Sequence, residues 1–389
     1  GRLDPRAGTM LQAVWFDAGP ERPGRILLAV HHLAVDGVSW RILLPDLAAA
    51  YSGTELEAVP TSFRRWSRVL ADQAADPARV AELPLWERML DGPAPLLDSA
   101  PPRPPDGRGG APVHAKLTLP TDVTEALLTR VPAAFHAGIE DVLLSGLVAA
   151  LGERRRHRDG RDVTGGVLVD LEGHGREPLT PDMDLARTVG WFTDLHPVRL
   201  DPGPLDHAAV RAGGGAAGAL VKRVKEQLRA VPSDGLGYGL LRHLNPRTAA
   251  VMARLPVPSL SFNYMGRFAA GASDAPGSSA PVPWQPAGAT ALGGGTDPGM
   301  APVYALEAGG LVHDLPGGPR LTLALSGGAG QFTRADLDDL ADRWAAMLGG
   351  LAAHAAGGGG GHTPSDFSLV SLGQDQIDEL QAGLAGEFG

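Results

Sequence analysis

Residues 30–40 read Val-His-His-Leu-Ala-Val-Asp-Gly-Val-Ser-Trp, and the rest of the chain is organised around them. The apolar run that ends at Val30 has the composition of a buried strand. A turn signal, Asp36-Gly37, follows the two histidines, and a helical pattern occupies residues 40–51. Because histidine is the side chain best suited to move protons near neutral pH, this stretch is a candidate for the floor of an active site.

The histidine pair, His31 and His32, also has interpretations that involve no catalysis. Adjacent residues on a strand point to opposite faces of the sheet, so only one of the two can face a given cavity. For an isolated pair, two structural histidines that bond to backbone are the favoured interpretation. Asp36 could orient a histidine, or it could form a local turn or a salt bridge. Metal binding by the pair is not favoured, because no third ligand lies at a characteristic spacing and the HEXXH pattern is absent.

Length and composition bound the class of protein. The 389 residues can bury a large core, and an apolar fraction of 43% argues against disorder although glycine (53) and proline (34) are abundant. The net charge of −10 argues against nucleic acid as a partner. Cysteine is absent, which excludes disulfides and a cysteine nucleophile and fits a cytoplasmic protein. No apolar stretch approaches the ~20 residues that a membrane span needs.

Hydrophobic periodicity predicts an α/β protein whose element order does not match a simple doubly wound sheet. Strands are predicted at residues 9–17, 25–33, 113–119, 163–171, 259–266 and 321–326. Helices are predicted at residues 40–51, 62–90, 121–130, 138–151, 208–230 and 333–355, with a last helix around Ile377.

Prolines and glycines punctuate this pattern. Pro84 is expected to break the helical stretch 62–90, and Pro197 to confine the β-prone residues 188–200 to an edge or a turn. A composition shift between residues 91 and 112 predicts a boundary between subdomains. The other glycine-rich segments are predicted to be a loop, an irregular excursion and a flexible break, at residues 235–239, 269–299 and 357–361.

A second candidate site is Glu-Gly-His-Gly-Arg-Glu at residues 172–177, directly after a predicted strand. A solvated charged loop is the ordinary interpretation of such a cluster. Its position favours a functional interpretation, because active sites of α/β proteins gather where strands end. The glycines at residues 235–239 do not make a dinucleotide-binding fingerprint, and the chain has neither a P-loop nor a G-x-S-x-G motif.

Five segments together resemble the motifs of one family. Residues 31–37 resemble the HHxxxDG motif of the condensation-domain superfamily of nonribosomal peptide synthetases, and the Ser-Trp-Arg-Ile continuation resembles its epimerization branch. Four more segments resemble motifs of that branch in the same order, namely EGHGRE at 172–177, TVGWFT at 188–193, GxGYG at 235–239 and FNYLG at 262–266. The segment from Asp366 to Val370 is similar to the family's exit segment.

The resemblance implies an architecture. It implies two chloramphenicol-acetyltransferase-like α/β subdomains, arranged as a V around a central tunnel. The first subdomain is expected to be incomplete, an N-terminal truncation, because in the family it begins well before the HHxxxDG strand. Residues 1–100 would form the C-terminal part of this N-terminal subdomain, and 101–112 a linker. The C-terminal subdomain would occupy residues 113–362, and an exit segment with a terminal helix residues 363–389.

The resemblance also implies a reaction, the L-to-D epimerization of an aminoacyl or peptidyl thioester at its Cα. The substrate would hang from the 4′-phosphopantetheine arm of a peptidyl carrier protein, with no intrinsic cofactor and no metal. By similarity of motif, His32 and Glu172 are the catalytic acid/base candidates on opposite sides of the Cα. Deprotonation and reprotonation need two such carriers on opposite faces, or one carrier and an ordered water, and donors for the enolate oxygen.

The same motifs supply supporting or substrate-positioning candidates, which are His31, Asp36, Gly37, Asn263, Tyr264, Tyr238 and Trp191. Asp36 and Gly37 would shape the loop that presents His32, and His31 would face away as a structural residue. Trp191 and its neighbour Phe192 either wall the cavity or pack in the core. His196 departs from the family, which usually has an aromatic residue at this position.

Three functions stay open at this stage. The first is an epimerization domain, acting as a monomeric unit of a multidomain synthetase. The second is a condensation domain that forms a peptide bond, which shares the HHxxxDG loop but not EGHGRE. The third is a catalytically silent scaffold that docks a carrier protein or another synthetase domain. Neither the amino acid that is inverted nor the residue that removes the proton follows from the sequence.

Overall fold

The computed structural model describes residues 3–93, 112–160, 166–232, 235–269, 284, 303–328, 330–367 and 369–388. The predicted linker 101–112 lies outside these residues apart from Pro112, so the predicted subdomain boundary stays a prediction. The predicted excursion 269–299 also lies outside them, apart from Ala269 and Trp284.

The strands are β1 Leu11–Phe16, β2 Arg25–Val30, β3 Val113–Thr118, β4 Val167–Gly173, β5 Asp194–Leu200, β6 Leu260–Ala269, β7 Leu306–Leu315 and β8 Gly318–Gly327. Strands β1 and β2 form an antiparallel hairpin, and the other six form one sheet in the order β3-β8-β7-β6-β4-β5. The central strands β4, β6 and β7 are parallel, whereas the outer pairings are antiparallel. Strand β5 is an edge strand, as Pro197 predicts.

The helices of the described residues are α1 Gly37–Tyr51, α2 Phe63–Gln73, α3 Pro77–Val80, α4 Leu83–Leu90, α5 Thr121–Glu125, α6 Val131–Phe135, α7 Ile139–Asp159, α8 His207–Arg211, α9 Gly215–Arg229, α10 Leu236–Gly239, α11 Ala249–Met252, α12 Arg334–Ala356 and α13 Gln374–Phe388. Turns of π-helix occupy Ala126–Arg130 and Leu240–Leu244, and short 3-10 turns occupy His32–Ala34 and Pro364–Asp366. The mixed α/β class is confirmed.

Several predicted boundaries are wrong for identifiable reasons. Pro84 lies in the first turn of α4, where its missing N–H costs nothing, so it begins a helix instead of breaking one. The predicted strand 25–33 ends at Val30, because the next residues turn. The predicted loop 235–239 holds the short helix α10, and strand β7 was not predicted.

The largest core lies between the six-stranded sheet and the helices α7, α9 and α12. Trp344 of α12 is fully buried and donates its indole N–H to the Leu143 carbonyl of α7 at 3.0 Å. A Cβ at Gly146 would lie 2.7 Å from the Leu348 side chain, so this glycine permits the two helices to approach closely.

Two smaller clusters attach residues 3–93 to the region after residue 112, one at strand β4 and one at the connection between β4 and β5. Trp86 and Leu90 of α4 pack with Leu168, Tyr238, Leu241 and Met252. Trp66 of α2 packs with Met183, Leu185 and Phe192. In the described residues no single helix is long and apolar enough to cross a membrane, although the bent pair Thr121–Phe135 and Ile139–Asp159 passes that test jointly by length and composition.

Candidate active site

A cavity of about 1320 Å³ lies where residues 3–93 meet the carboxyl ends of β4 and β6. The start of α1, the first turn of α7 and the beginning of β5 complete its walls. The polar and titratable residues among its lining include His32, Asp36, Glu140, Glu172, His174, Asp194, His196, Asn263 and Tyr264. Two segments that resemble the HHxxxDG and EGHGRE motifs therefore face one space.

His32 reaches the cavity from a turn that follows β2. His31 caps this turn, since its ring Nδ1 accepts a hydrogen bond from the Leu33 backbone N–H at 3.1 Å. The His31 backbone N–H also continues the hairpin pairing, by donating to the Met10 carbonyl at 2.8 Å. The His32 ring is exposed to the cavity, and its centroid lies 5.0 Å from the Trp191 ring. The two histidines thus differ in environment, although they do not lie on a strand.

Asp36 anchors the turn that carries His32. Its carboxylate caps α1 by accepting from the Ser39 backbone N–H at 2.7 Å. Both carboxylate oxygens also accept from one guanidinium nitrogen of Arg176, at 2.8 and 2.9 Å. Burial by itself raises the pKa of Asp36, but the hydrogen bonds from Arg176 and Ser39 outweigh it and hold this pKa below its usual range.

Arg176 extends the network in both directions. Its guanidinium donates to the carbonyls of Leu185 at 3.1 Å and Thr188 at 2.8 Å, and its carbon lies 4.3 Å from the centroid of the Phe192 ring. The ion pair is buried, with 8% of the Arg176 side chain and 5% of the Asp36 side chain exposed. The pair therefore joins the HHxxxDG-like and EGHGRE-like segments into one unit.

Glu172 lies on β4, one residue before its end, instead of in a loop beyond the strand. The strand register places Leu171 opposite Phe262, which brings the next residue of β6, Asn263, beside Glu172. Removal from water raises the pKa of the Glu172 carboxyl. A hydrogen bond from the Asn263 side chain and the charge of His32 oppose this increase, whereas Asp194 adds to it. A positive charge on His32 thus favours the ionised form of Glu172.

A phenol and two further carboxylates complete the cavity. Burial raises the pKa of Tyr264, so its hydroxyl stays a neutral donor. Burial and the neighbouring Asp141 raise the pKa of Glu140, on the first turn of α7. The carboxylate of Asp194 lies 3.4 Å from the Nδ1 of His196.

His196 fits its position because of a glycine. Gly235 has a φ of 63°, in the left-handed region that favours glycine, and it starts the predicted loop 235–239. A Cβ at Gly235 would lie 2.1 Å from the His196 Nδ1. The first glycine of the GxGYG-like segment therefore makes room for the imidazole that replaces the aromatic residue expected there.

The structure does not bring every candidate to the cavity. Tyr238 is 6% exposed and packs against Trp86, away from the cavity lining. Phe192 is buried against Trp66, whereas Trp191 is 41% exposed and contacts His32 from outside the lining. Core packing is therefore the observed environment of Tyr238 and Phe192.

Four residues of the site were not selected from the sequence. Arg176 lies inside the EGHGRE-like segment. The sequence signal for its role is an arginine in a glycine-rich segment, together with an acid in another motif that could pair with it. Asp194 and His196 alternate along β5, a period that places both on one face. For Glu140 the sequence offers only an acid near a helix start.

The arrangement can move protons. An imidazole and a carboxylate of raised pKa face one cavity, next to an amide and a phenol that can donate hydrogen bonds. Among the described residues no group of three or more His, Cys, Asp and Glu side chains is placed to hold a metal ion.

Fold and site define an α/β domain in which an imidazole and a carboxylate from two distant segments meet at one cavity. Residues 6–281 match the family described as Condensation domain. The chain belongs to the condensation domain family, and its chloramphenicol-acetyltransferase-like fold is confirmed.

Curated relatives of the chain are much longer proteins. One of the linear gramicidin synthase subunits from Brevibacillus parabrevis is 36% identical over 393 residues, which cover 97% of this chain and 7% of that protein. Surfactin synthase subunit 1 from Bacillus subtilis is 33% identical over 389 residues, which cover 97% of this chain and 10% of that protein. The chain spans 5% to 7% of the length of the three linear gramicidin synthase subunits that it matches.

Two solved structures illustrate the range of similarity. The epimerization domain from the third module of tyrocidine synthetase B superimposes with a TM-score of 0.71 and 28% identity, covering 91% of this chain and 74% of that one. The first condensation domain of the calcium-dependent antibiotic synthetase superimposes with a TM-score of 0.55 and 21% identity, covering 90% of this chain and 68% of that one. The second similarity concerns the fold alone.

Proposed function

We propose that this chain epimerizes, from L to D at the Cα, an aminoacyl or peptidyl thioester on the 4′-phosphopantetheine arm of a peptidyl carrier protein. The observation that carries the proposal is that His32 and Glu172, from two distant segments, line the same cavity. The domain would work in the cytoplasm as part of a nonribosomal peptide synthetase, with the arm supplied by the carrier and no cofactor of its own.

The reaction needs only proton transfers. A thioester carbonyl acidifies the neighbouring Cα–H, so one group removes the proton, leaving an enolate, and the group on the opposite face returns a proton to Cα. No other bond is formed or broken, and no redox partner is required. The raised pKa of Glu172 suits a carboxyl that both takes and gives a proton near neutral pH. His32 supplies an imidazole for the opposite face.

Neighbouring side chains have supporting roles in this proposal. Asn263 holds the Glu172 carboxylate through its hydrogen bond. Tyr264 faces the cavity with a hydroxyl that keeps its proton, so it is the candidate donor to the enolate oxygen. Asp36 and Gly37 hold the turn that presents His32, through the cap on α1. His31 and Trp191 support that turn from outside the cavity lining.

Two findings favour epimerization over peptide-bond formation. Glu172 opens a segment that reads EGHGRE, which resembles the epimerization branch. The tyrocidine epimerization domain, which is 28% identical, also superimposes on this chain with a TM-score of 0.71. Condensation stays the second candidate, because the matching family is named for it and the HHxxxDG-like loop is common to both branches.

The deciding experiment follows the α-position in deuterated water. A peptidyl carrier protein loaded with an L-aminoacyl thioester is incubated with the chain, and the released amino acid is analysed by mass spectrometry and chiral chromatography. Epimerization predicts deuterium at Cα together with D-product. Dipeptide without α-exchange, when an acceptor carrier is added, would show a condensation domain instead. No exchange and no dipeptide, with the carrier still bound, would indicate a scaffold.

Variants assign the roles. Glu172→Gln and His32→Gln should each lower the exchange rate by about 10²–10⁴-fold, the usual contribution of a general acid or base, without weakening carrier binding. The matched controls are Glu307→Gln and His313→Gln, exposed positions on β7 outside the cavity lining, which should leave the rate unchanged. Full activity of either cavity variant would refute the assignment.

A further inference from the structure

A second carboxylate, that of Asp170, lies on the same strand as Glu172 and on the same face. Side chains alternate along β4, so Asp170 and Glu172 point one way while Val169 and Leu171 point into the main core. Two residues of extended strand separate the Cα atoms of the two acids by about 6.6 Å. Asp170 is only 7% exposed and is absent from the cavity lining, so it lies behind Glu172.

Asp170 has one strong partner and one unpartnered oxygen. The hydroxyl of Tyr304, just before β7, donates to the Asp170 Oδ2 at 2.9 Å. The Oδ1 is buried and has no hydrogen-bond partner in the part of the chain that the structure describes. The cross-strand neighbours are Ser261 on β6 and Pro197 on β5, both uncharged. A fully ionised carboxylate is costly in such a position, because one of its oxygens is left without a donor.

Charged and titratable groups surround Asp170 on several elements. They are Tyr304 before β7, His196 on β5, Arg242 in the turn Leu240–Leu244 and Tyr238 on α10. Burial outweighs the hydrogen bond from Tyr304 and the charges of His196 and Arg242, and it raises the pKa of Asp170 to about 6. Burial also raises the pKa of Tyr304, and the charges of both Asp170 and Glu172 add to that increase. Tyr304 therefore keeps its proton and lies close to both carboxyls.

We propose that Asp170 and Tyr304 are positioning residues behind Glu172, through which the charge on Asp170 acts, beside the charges of Asp194 and His32 in the cavity, on the charge state of the Glu172 carboxylate. An ionised Asp170 places a negative charge behind Glu172 and favours a proton on Glu172. Once Asp170 takes up a proton, that charge disappears and Glu172 ionises more readily. The two carboxyls would then titrate as a coupled pair.

The consequence for catalysis rests on the proposed function, whereas the coupling itself does not. A Glu172 that holds a proton can return one to Cα, and an ionised Glu172 can remove one. Asp170 would thus contribute, together with Asp194 and His32, to the pH range over which Glu172 takes each part. Neither Asp170 nor Tyr304 lines the cavity, so they act on Glu172 and not on the substrate.

The test is a titration of Glu172 by NMR in the full 389-residue chain, labelled with ¹³C at the glutamate carboxyl. Glu172→Gln assigns the signal. Asp170→Asn should lower the titration midpoint of Glu172 by about 0.5–2 pH units, the effect of a unit charge at a distance similar to the Cα spacing of about 6.6 Å, at effective dielectric constants of 80 to 20. The matched control is Asp338→Asn, on an exposed face of α12, which should leave the midpoint unchanged.

A second variant keeps the test decisive if Asp170→Asn folds poorly. Tyr304→Phe removes the donor that stabilises the Asp170 anion, so Asp170 stays protonated to higher pH and the Glu172 midpoint should also fall. The double variant should move the midpoint no further than Asp170→Asn alone, since both changes act through one charge. An unmoved Glu172 midpoint in the folded variants would overturn the proposal.

A pH profile of α-proton exchange separates this inference from the proposed function. Asp170→Asn should shift the Glu172-dependent limb of the profile by the same amount as the NMR midpoint, whereas a merely structural defect would lower the rate equally at all pH values and thereby contradict the proposal. A shifted midpoint in a chain that shows no exchange would uphold the coupling and sink the proposed function. If Asp170→Asn shows α-proton exchange but neither the pH profile nor the Glu172 midpoint is shifted, the proposed function stands and the coupling is overturned.

Discussion

The two regions that meet at the cavity are built in different ways. The region after residue 112 rests on a six-stranded sheet, and its helices bury side chains such as Trp344 and Leu147 completely. The region before residue 93 contains a two-stranded hairpin, in which Trp15 is 56% and Phe16 is 54% exposed. The region after residue 112 places Glu172 at the cavity from within a strand, and the region before residue 93 places His32 there from a turn.

The difference shows that the two halves of the site are held by different forces. The position of Glu172 is fixed by strand β4, which pairs with β6 on one side and β5 on the other. His32 depends on the Asp36 cap and on the buried ion pair with Arg176, because the hairpin before it has little buried surface. Substitutions in the two regions should therefore differ in size and in kind.

The largest expected effect is the loss of a core indole. Trp344→Ala removes a fully buried side chain and its hydrogen bond to Leu143, and it should lower the free energy of unfolding by about 3–5 kcal/mol. Trp15→Ala, in the exposed hairpin, should change it by less than about 0.5 kcal/mol. Urea unfolding followed by circular dichroism measures both. Equal costs would show that the contrast between the regions is mistaken.

Next in size is the loss of the buried ion pair that joins the regions. Arg176→Met leaves the Asp36 carboxylate buried without its main partner and should cost about 3 kcal/mol in the free energy of unfolding. Adding Asp36→Asn should restore part of that loss, because the stranded charge is removed. The same unfolding assay, at pH 7.5, measures the single and double variants.

The control for that prediction is a second pair between the same two regions. Arg187 binds Asp46 at 2.8 Å, but about a quarter of each side chain is exposed (24% and 27%). Arg187→Met should therefore cost much less in the free energy of unfolding than Arg176→Met. If Arg187→Met lowers the free energy of unfolding as much as Arg176→Met does, burial does not explain the difference between the two ion pairs.

A smaller, pH-dependent effect belongs to the sheet region alone. The pKa of Asp170 is raised from 3.8 to about 6 in the folded chain, so the folded state binds this proton more tightly than the unfolded state. The resulting stabilisation is complete below about pH 4 and is lost as the pH rises through about 6. Asp170→Asn should therefore be more stable than the unchanged chain at pH 7.5, on the order of 1–3 kcal/mol.

Melting temperatures at pH 4 and pH 7.5 check this prediction. The difference between Asp170→Asn and the unchanged chain should be large at pH 7.5 and should shrink at pH 4. Comparing the two proteins cancels the opposite pH dependence of carboxyls such as Asp36 and Asp336, whose pKa values are lowered. A difference that is independent of pH would show that Asp170 has an ordinary pKa.

Most of the fold could be predicted because its elements carry strong periodicity. The periodicity predicts both ends of the long helix α12 to within one residue, and Pro197 correctly indicates an edge strand. Strand β7 was not predicted, because Gly309 and Gly310 interrupt its apolar alternation and lower its β-propensity. A backbone that pairs on both sides keeps it extended, which is a tertiary effect that local sequence does not carry.

The site was predicted as a set of motifs but not as a set of contacts. His32 and Glu172 were selected from motifs that resemble a family, and the structure brings both to one cavity, while their catalytic roles stay predictions. The buried partnership of Asp170 with Tyr304 joins residues 134 positions apart. No local pattern reports such a contact, and neither residue belongs to a recognised motif. The partial desolvation at the cavity wall that raises the pKa of Glu172 is equally invisible in the sequence.

The ion pair between Asp36 and Arg176 has a consequence for the order of folding. Its two residues are separated by 140 positions, so closing that loop costs more entropy than forming the hairpin or the helix α1 on either side of Asp36. Contacts between residues so far apart in sequence form more slowly than local contacts, because the entropy of closing the loop opposes them. The turn with His32 should therefore be among the last parts to become ordered during refolding, and among the first to exchange its amide hydrogens with solvent in the native state.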